Sequence, residues 1–239
     1  RQPGQGRPVL PLLRGPVRRL RRQVDHLQGG GGRSLDGQDY AEAARYHRMA
    51  ADQDYAPAQF DLAVLFDHGR GVDQDSFEAL RYYMLAADQG YAPAQHNLAV
   101  MYSMGEGVRQ DYLQALHYFR LAADQGSAQA QDNLAIMLQS GLGDDQDYSE
   151  AMFYFKLAAD QGYVLAQHNL GLMYEKGLGK DQDYSEALRY YAMAADQGHA
   201  PAQYCLAVLH GSGQGVDEYH SSALRLYKLD DDQGHASSQ

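Results

Sequence analysis

Histidine and cysteine are the side chains of this 239-residue chain that could bind a metal ion or act as nucleophiles: there are ten histidines and one cysteine, Cys205. His96 and His168 occupy the same position in two similar but non-consecutive segments. Because packed helices lie about 8–10 Å apart, two such imidazoles cannot share an ion. Cys205 and His210 are five residues apart, which places them on different faces of a helix. We predict no metal site and no cofactor, and we interpret Cys205 as a small packed residue.

Carboxylates could act as general acids or bases, but each aspartate and glutamate of the regular part of the chain stands in a repeated column. A hydrolase site would need two carboxylates that depart from the repeat and converge, and the sequence shows no such pair. Neither a Ser-His-Asp nor a Cys-His arrangement stands out. We therefore expect no catalytic residues and no enzyme activity within this chain.

Glycine pairs such as "GEG" at 105–107 could in principle cradle a phosphate group. That chemistry would require a preceding strand and a third glycine, and the sequence has neither. The pairs are better explained as turns, because glycine adopts backbone angles that other residues avoid.

All these residues belong to a repeat of 36 residues that runs without a gap. One column holds an aspartate and another a tyrosine. Their members are Asp39, Asp75, Asp111, Asp147 and Asp183, and Tyr46, Tyr82, Tyr118, Tyr154 and Tyr190.

Each repeat contains two predicted helices. The first begins at the column aspartate, as in "DYSEALRYYAMAADQG" at 183–198, where Asp183 and Glu186 can form a capping box and Gly198 can end the helix. The same pairing recurs at Asp39/Glu42, Asp75/Glu78, Asp111/Gln114 and Asp147/Glu150. The second is "APAQHNLAVMYSMG" at 92–105, with Pro93 at a favourable first position. A lone helix at 39–54 precedes the first complete hairpin.

The aspartates of the repeated "DQG" lie at helix C-termini, where the helix dipole disfavours a negative charge. We hypothesise that each of these carboxylates caps the helix that follows a few residues later. The residues concerned are Asp52, Asp88, Asp124, Asp160 and Asp196.

Small and bulky residues alternate in a way that suits a stack of hairpins. The alanine pair before each "DQG" lets a neighbouring helix approach closely, and the tyrosines one or two turns earlier fill the remaining space. A single hairpin cannot bury its apolar stripe, but identical stacked hairpins can. The sequence thus predicts an all-α protein, an α/α solenoid of about five 36-residue repeats over residues 39–239.

Charge separates the chain into two parts. Residues 1–38 carry eight arginines and two aspartates, a net charge of +6, so the remainder carries −17 of the total −11. This segment is either a targeting or polybasic tail or, as we favour, a disordered extension ending in a glycine linker. The missing initial methionine suggests a fragment or a processed product.

The acidic body argues against nucleic acid and anionic membranes as partners.

Other composition features bear on the compartment. A single cysteine, no Asn-x-Ser/Thr sequon and apolar runs no longer than "LAVLF" favour the cytoplasm over membrane insertion or an oxidising compartment. We expect a monomer.

The repeat resembles the Sel-1-like repeat, a relative of the tetratricopeptide repeat. The resemblance rests on "A-x-A-Q-x-x-L-(A/G)-x-x-(Y/F)-x-x-G-x-G-V" followed by "D-Y-x-x-A-x-x-(Y/F)-x-x-A-A-D-Q-G", and it covers residues 39–239. Family units start at the A-x-A-Q helix, which gives hairpins starting at Ala56, Ala92, Ala128, Val164 and Ala200. The last unit departs from the pattern at Tyr219, Asp230 and Asp231, which reads as a capping unit with a solvated outer face.

The resemblance implies an interaction scaffold that binds a protein or peptide partner. The alternative is a regulatory or targeting segment of a larger enzyme, such as a kinase or a ubiquitin-ligase assembly, whose catalytic part lies outside this chain.

Two variable columns of the A-x-A-Q helix lie seven residues apart, so they share a helix face. In solenoids of this type that helix lines the concave side, and we expect these columns to bind a partner of partly basic character. The candidate residues are Phe60, His96, Asp132, His168 and Tyr204, and Asp67, Ser103, Gln139 and Glu175.

Overall fold

The computed structural model describes residues 37–214, which contain ten helices and no strand. The predicted all-α fold is confirmed. The segment 1–36 and the unusual residues Tyr219, Asp230 and Asp231 lie outside the described residues, so the predictions made for them stay predictions.

The chain divides into two compact units, Arg1–Ala94 and Gln95–Gln239. The first contains α1 (Gly37–Ala51), α2 (Ala56–His68) and α3 (Ser76–Asp88). Helix α4 (Ala92–Met104) begins just before the boundary. The second unit continues with α5 (Tyr112–Asp124), α6 (Ala128–Ser140), α7 (Tyr148–Asp160), α8 (Val164–Lys176), α9 (Tyr184–Ala195) and α10 (Ala200–Ser212).

Consecutive helices pack against each other within each unit, which gives the stacked hairpins of an α/α solenoid. The even-numbered helices begin at the residues predicted from the A-x-A-Q pattern. The connections within the "DQG" turns are only three or four residues long, so the chain must reverse direction there.

Aspartate caps begin the odd-numbered helices α3 to α9. Asp147, for example, accepts hydrogen bonds from the backbone N–H groups of Ser149 and Glu150, both at 2.9 Å. The prediction for Asp39 is wrong, because α1 begins two residues earlier and Asp39 lies within its first turn.

Of the two hydrogen bonds that define a capping box, only the one accepted by the aspartate side chain forms. The N–H of each capping aspartate donates to a carbonyl near the end of the preceding helix, as Asp147 does to Leu138 at 3.0 Å. The glutamate three residues on is then free for ion pairs, such as Glu150 with Arg120 at 2.8 Å.

The hypothesis for the "DQG" aspartates is wrong wherever a cap of an even-numbered helix is described. Ser127 caps α6 with its own hydroxyl, which accepts from the Ala130 N–H at 3.3 Å. Tyr55, Tyr163 and His199 hold the cap positions of α2, α8 and α10 without a side-chain hydrogen bond.

The repeated glycine pairs have a packing role. Gly143 has φ +85°, and a Cβ on it would lie 2.5 Å from the carbonyl oxygen of Tyr112. Gly179 stands in the same relation to Tyr148. In these pairs the second glycine therefore lets the loop lie directly on the start of the odd-numbered helix of the preceding repeat.

The core combines fully buried alanines with aromatic rings. In the second unit Ala158, Phe155 and Tyr191 have no exposed surface, and the rings of Tyr174 and Tyr190 stack at 5.7 Å. A side chain larger than alanine at such positions would force the helices apart, which explains why the alanine pair repeats.

Glutamine side chains join the two helices of each repeat through a series of hydrogen bonds that we call the glutamine rungs. In each rung the "DQG" glutamine donates its amide to the side-chain oxygen of the A-x-A-Q glutamine thirty residues earlier, at 2.7–2.9 Å. The pairs are Gln89–Gln59, Gln125–Gln95, Gln161–Gln131 and Gln197–Gln167.

Four of the A-x-A-Q glutamines also donate to an alanine carbonyl at the end of the helix before them; they are Gln59, Gln131, Gln167 and Gln203. Gln131 donates to the carbonyl of Ala123 at 3.1 Å while accepting from Gln161. One side chain at the start of α6 thus joins the C-terminal ends of α5 and α7.

Within residues 37–214, no helix combines the length and the apolar character needed to cross a lipid bilayer.

Candidate functional site

The first predicted column lies deeper in the fold than expected. Asp132 is only 2% exposed, and Phe60 is half-buried between the rings of Tyr83 and Tyr91, with centroids 5.8 and 5.5 Å away. Tyr204, at 36% exposed, is the member that faces solvent. Of the five candidate residues in this column, Tyr204 is therefore exposed, Asp132 is buried and the other three are half-buried; that they bind a partner stays a prediction.

Three members of this column bond to the neighbouring even-numbered helix. Asn133 bonds the imidazole of His96 at 3.0 Å, and Asn169 donates to the carboxylate of Asp132 at 3.1 Å. The next contact in the series places the Cys205 sulfur 4.0 Å from His168 Nε2. Helices α4, α6, α8 and α10 are therefore side by side, joined by polar pairs whose residue types differ from repeat to repeat.

Burial shifts the pKa values in this series. Desolvation raises the pKa of Asp132 to about 6, although the hydrogen bond from Asn169 acts in the opposite direction. Desolvation also lowers the pKa of His96, and it lowers the pKa of His168 to about 4 with a further contribution from the nearby His199. At neutral pH both histidines of the column are uncharged.

The environment of Cys205 does not activate its thiol. Its pKa is raised, chiefly by burial and also by the charge of Glu175. The neighbouring His168 is neutral at pH 7, so it cannot stabilise a thiolate. No group of histidine, cysteine or acidic residues that could hold a metal ion occurs among residues 37–214.

The second predicted column is half-buried and engaged in local bonds. The hydroxyl of Ser103 donates to the Val100 carbonyl at 2.8 Å, and Glu175 accepts a hydrogen bond from Tyr191. The backbone carbonyl of Gln139 accepts from Gln146 at 2.6 Å. In the first unit, Asp67 lies 3.8 Å from the imidazole of His68.

A more exposed column was missed from the sequence. Its residues come four positions after those of the first column and lie to one side of both predicted columns around the helix, and in the second unit this column is entirely apolar. We call it the even-helix ridge: Val100, Ile136, Leu172 and Val208. Ile136 and Val208 are 41% and 37% exposed, and the other two are half-buried.

The ridge is bordered by residues that face solvent. Four residues further along the same helices stand Met104, Ser140, Lys176 and Ser212, all exposed. The centre of the exposed face therefore lies at and beyond the ridge, and the predicted columns lie toward its edge.

The chain matches the Sel1 repeat in six segments that together run from residue 28 to residue 229. It belongs to the Sel1 repeat family. The segments are 28–55, 56–91, 92–127, 128–163, 164–199 and 200–229. The starts of the last five segments coincide with those of the even-numbered helices, so the predicted family and the five predicted hairpin starts are confirmed. The match has one segment more than the five predicted repeats, and its first segment begins at residue 28 rather than at the predicted residue 39.

Solved structures with a similar fold come from several bacteria. A protective antigen of uropathogenic Escherichia coli strains, displaying an SLR fold, is 29% identical over 92% of this chain with a TM-score of 0.84. A Sel1 repeat protein from Oxalobacter formigenes is 28% identical over 92% of this chain with a TM-score of 0.80. This chain spans 46% of the former and 84% of the latter.

A third structure shares only the fold: a Sel1 repeat protein from Klebsiella pneumoniae, 22% identical over 82% of this chain and 95% of its own, with a TM-score of 0.52. No curated protein matches the chain significantly. Sel1 repeats commonly serve as scaffolds for protein–protein interaction.

Proposed function

We propose that this Sel1 repeat protein is a non-catalytic scaffold that binds a protein or peptide on the solvent-facing side of its even-numbered helices. The observation that carries the proposal is the even-helix ridge. Four helices that contact their neighbours in series present an apolar side chain at the same position, and two of these side chains are more than one-third exposed. An aligned apolar column of this kind is suited to a partner with regularly spaced apolar residues.

The scaffold beneath the ridge is already ordered. Polar pairs and glutamine rungs hold the even-numbered helices in register before any partner arrives. A binding face that needs little ordering loses less conformational entropy on association. The proposed concave location of this face stays a prediction.

Charge suggests what kind of partner fits. Residues 95–214 carry fourteen acidic and six basic side chains, a net charge of −8. A partner segment that combines apolar residues with lysine or arginine would gain both apolar contact and electrostatic attraction. The partly basic partner expected from the sequence is therefore retained, with the contact moved to the ridge.

Selection of peptides from a displayed random library against the full chain tests the proposal. The ridge variant Ile136→Asp/Val208→Asp should bind the selected peptides at least tenfold more weakly, because each carboxylate would have to be desolvated on contact. The matched control is Leu121→Asp/Leu157→Asp on the odd-numbered helices, where both side chains are 36% exposed. It should keep wild-type affinity.

Circular dichroism melts first establish that both variants remain folded. Peptides that bind the ridge variant as tightly as the wild type would exclude the ridge as the binding face. Peptides lost only by the control variant would assign binding to the odd-numbered helices instead. A library that yields no binder would contradict the scaffold function itself.

A further inference from the structure

Three positions of the repeat change together where α8 packs against α9. They are Gly171 and Glu175 of α8 and Tyr191 of α9. The equivalent positions one and two repeats earlier hold Ala135 and Ala99, Gln139 and Ser103, and Phe155 and Phe119. In a sequence that is otherwise consistent with its fold, departures concentrated at one place are expected at functional sites.

The glycine lets the tyrosine ring pack directly on α8. A Cβ on Gly171 would lie 2.7 Å from two ring carbons of Tyr191, much closer than the contact distance of non-bonded carbon atoms. The ring has no exposed surface, and its hydroxyl donates to Glu175 Oε2 at 2.5 Å. Burial, together with this hydrogen bond, raises the pKa of Tyr191, so the phenol stays protonated and remains a donor. The bond fixes the position of the carboxylate.

Glu175 differs from the other half-buried glutamates of the second unit in having no cationic partner within residues 37–214. Glu150 and Glu186 each lie 2.8 Å from an arginine, Arg120 and Arg189 respectively. Among the same residues Glu175 forms no salt bridge, and no group donates a hydrogen bond to its Oε1. Lys176, the next residue, is exposed. The carboxylate therefore keeps one oxygen and its charge available for a ligand.

This carboxylate lies beside the even-helix ridge. Leu172 is the ridge residue of α8, and residues three positions apart are neighbours on a helix surface, so one partner segment can contact both Leu172 and Glu175. Cys205 of α10 adds no positive charge here, because burial and the charge of Glu175 raise the pKa of its thiol. The charge that a ligand meets at this point of the ridge is thus the charge of Glu175.

We propose that Glu175, held in place by Tyr191, binds a lysine or arginine side chain of the partner next to the apolar residue that contacts Leu172. The inference rests on the proposed function and adds to it a fixed position for positive charge. A half-buried carboxylate with a preset orientation forms stronger hydrogen bonds with a cation than an exposed, mobile one does. The partner's cation would complete at Glu175 what Arg120 and Arg189 complete at the other two glutamates.

A double-mutant cycle between protein and peptide tests the contact. The probes are peptides selected from a displayed random library against the full chain, and copies of them in which one lysine or arginine at a time is replaced by glutamine. Glu175→Gln keeps the shape of the side chain and an acceptor for Tyr191, and it should bind the selected peptides about tenfold more weakly. For one peptide position, the glutamine copy should bind wild type and Glu175→Gln equally well, because the cation is already absent.

The matched control is Asp145→Asn, which removes one negative charge from an exposed loop residue of the same unit. Its affinity for the peptides should change by less than twofold. Unchanged binding by Glu175→Gln, or an equal loss in Asp145→Asn, would overturn the inference. If the ridge variant Ile136→Asp/Val208→Asp loses the peptides while Glu175→Gln keeps them, the proposed function stands and this inference falls. A library that yields no binder overturns both.

Tyr191→Phe tests the positioning role of the hydroxyl. Phenylalanine fits the fold, since Phe119 and Phe155 occupy the equivalent positions and are 3% and 0% exposed. The variant should bind the selected peptides about threefold more weakly, because the carboxylate is no longer held. This loss should disappear with the glutamine copy of the peptide, whereas a general structural defect would weaken both peptides equally. Equal weakening would contradict the proposed role of Tyr191.

Discussion

The buried polar pairs between even-numbered helices explain why one column can vary without facing a partner. His96 with Asn133 and Asp132 with Asn169 use different donors and acceptors at the same place in successive repeats. Each pair satisfies its own hydrogen bond, so the residue types can change together from one repeat to the next. Variation along this column therefore has a structural cause.

Asp132 gives a prediction at the scale of one residue. Its pKa is about 6 in the folded protein because burial disfavours the carboxylate, against about 4 in an unfolded chain. The folded state binds the proton more tightly, so this residue's contribution to stability is present below pH 4 and is lost as the pH rises through 6. Asp132→Asn should therefore raise the free energy of unfolding at pH 7.5 by about 2–3 kcal/mol.

Urea unfolding of the wild type and Asp132→Asn between pH 4 and pH 7.5 measures this effect. The gain should shrink toward zero at pH 4, where the wild-type carboxyl is protonated in the fold. The lowered pKa of His168 has the opposite effect, because its contribution to stability is lost as the pH falls from 6.5 toward 4. His168 is present in both proteins, so its contribution cancels when the unfolding free energy of the wild type is subtracted from that of Asp132→Asn. A difference in unfolding free energy that does not change with pH would contradict the raised pKa of Asp132.

At the scale of the helix, capping separates two sets of aspartates that look alike in the sequence. Asp147 accepts two backbone hydrogen bonds at the start of α7, so Asp147→Ala should lower the free energy of unfolding by about 1 kcal/mol. Asp124 stands at the end of α5, and the cap of α6 is Ser127. Asp124→Asn should therefore be neutral or slightly stabilising, because it removes a charge that the helix dipole disfavours.

Chemical denaturation of both variants under the same conditions checks this contrast. An equal loss of unfolding free energy in the two variants would mean that the "DQG" aspartates cap helices as well. A loss in neither would mean that the N–H groups of Ser149 and Glu150 are satisfied by water as well as by the carboxylate.

The starts of the helices could be predicted from the sequence because they depend on local signals. Aspartate caps, turn glycines and the A-x-A-Q pattern mark the beginnings of nine of the ten described helices. The start of α1 was misplaced because the glycine and glutamine before Asp39 give no warning that the helix begins earlier. Local signals do not determine which neighbouring helix packs against each face of a helix.

The exposed face was misplaced for a geometrical reason. Position 136 is about 40° further round the helix than position 132, and position 139 lies about 20° to the other side. The alanines and leucine show which stripe is buried, but not how far neighbouring helices extend over its edges. The neighbouring helix covers Asp132, so Ile136 becomes the exposed residue.

The glutamine rungs were missed because the sequence pattern shows that both glutamines repeat without showing that they meet. Their separation of thirty residues is shorter than the 36-residue period. It reflects contact between the start of one helix and the end of the next odd-numbered helix, which only the stacking of the hairpins reveals.

At the scale of the whole molecule, the polar pairs between even-numbered helices and the glutamine-to-carbonyl hydrogen bonds of the second unit recur from one repeat to the next. Stability should then be a sum of repeat terms and nearest-neighbour terms, with no repeat indispensable to the fold. Deleting residues 128–163 removes one whole period and joins Ser127 to Val164. His96 then meets Asn169 in place of Asn133, and Gln167 reaches the Ala123 carbonyl in place of Gln131.

This shortened chain should keep the helical circular dichroism per residue of the wild type and unfold in one cooperative transition at a lower temperature. The matched control deletes residues 134–167, two residues fewer, so Asn133 is followed by His168 within one helix. That chain keeps every remaining side chain but places its glutamines and alanine pairs out of register with their partners, and it should lose cooperative unfolding. If both deletions unfold alike, a two-residue shift does not lower stability, and the 36-residue register does not hold the stack together.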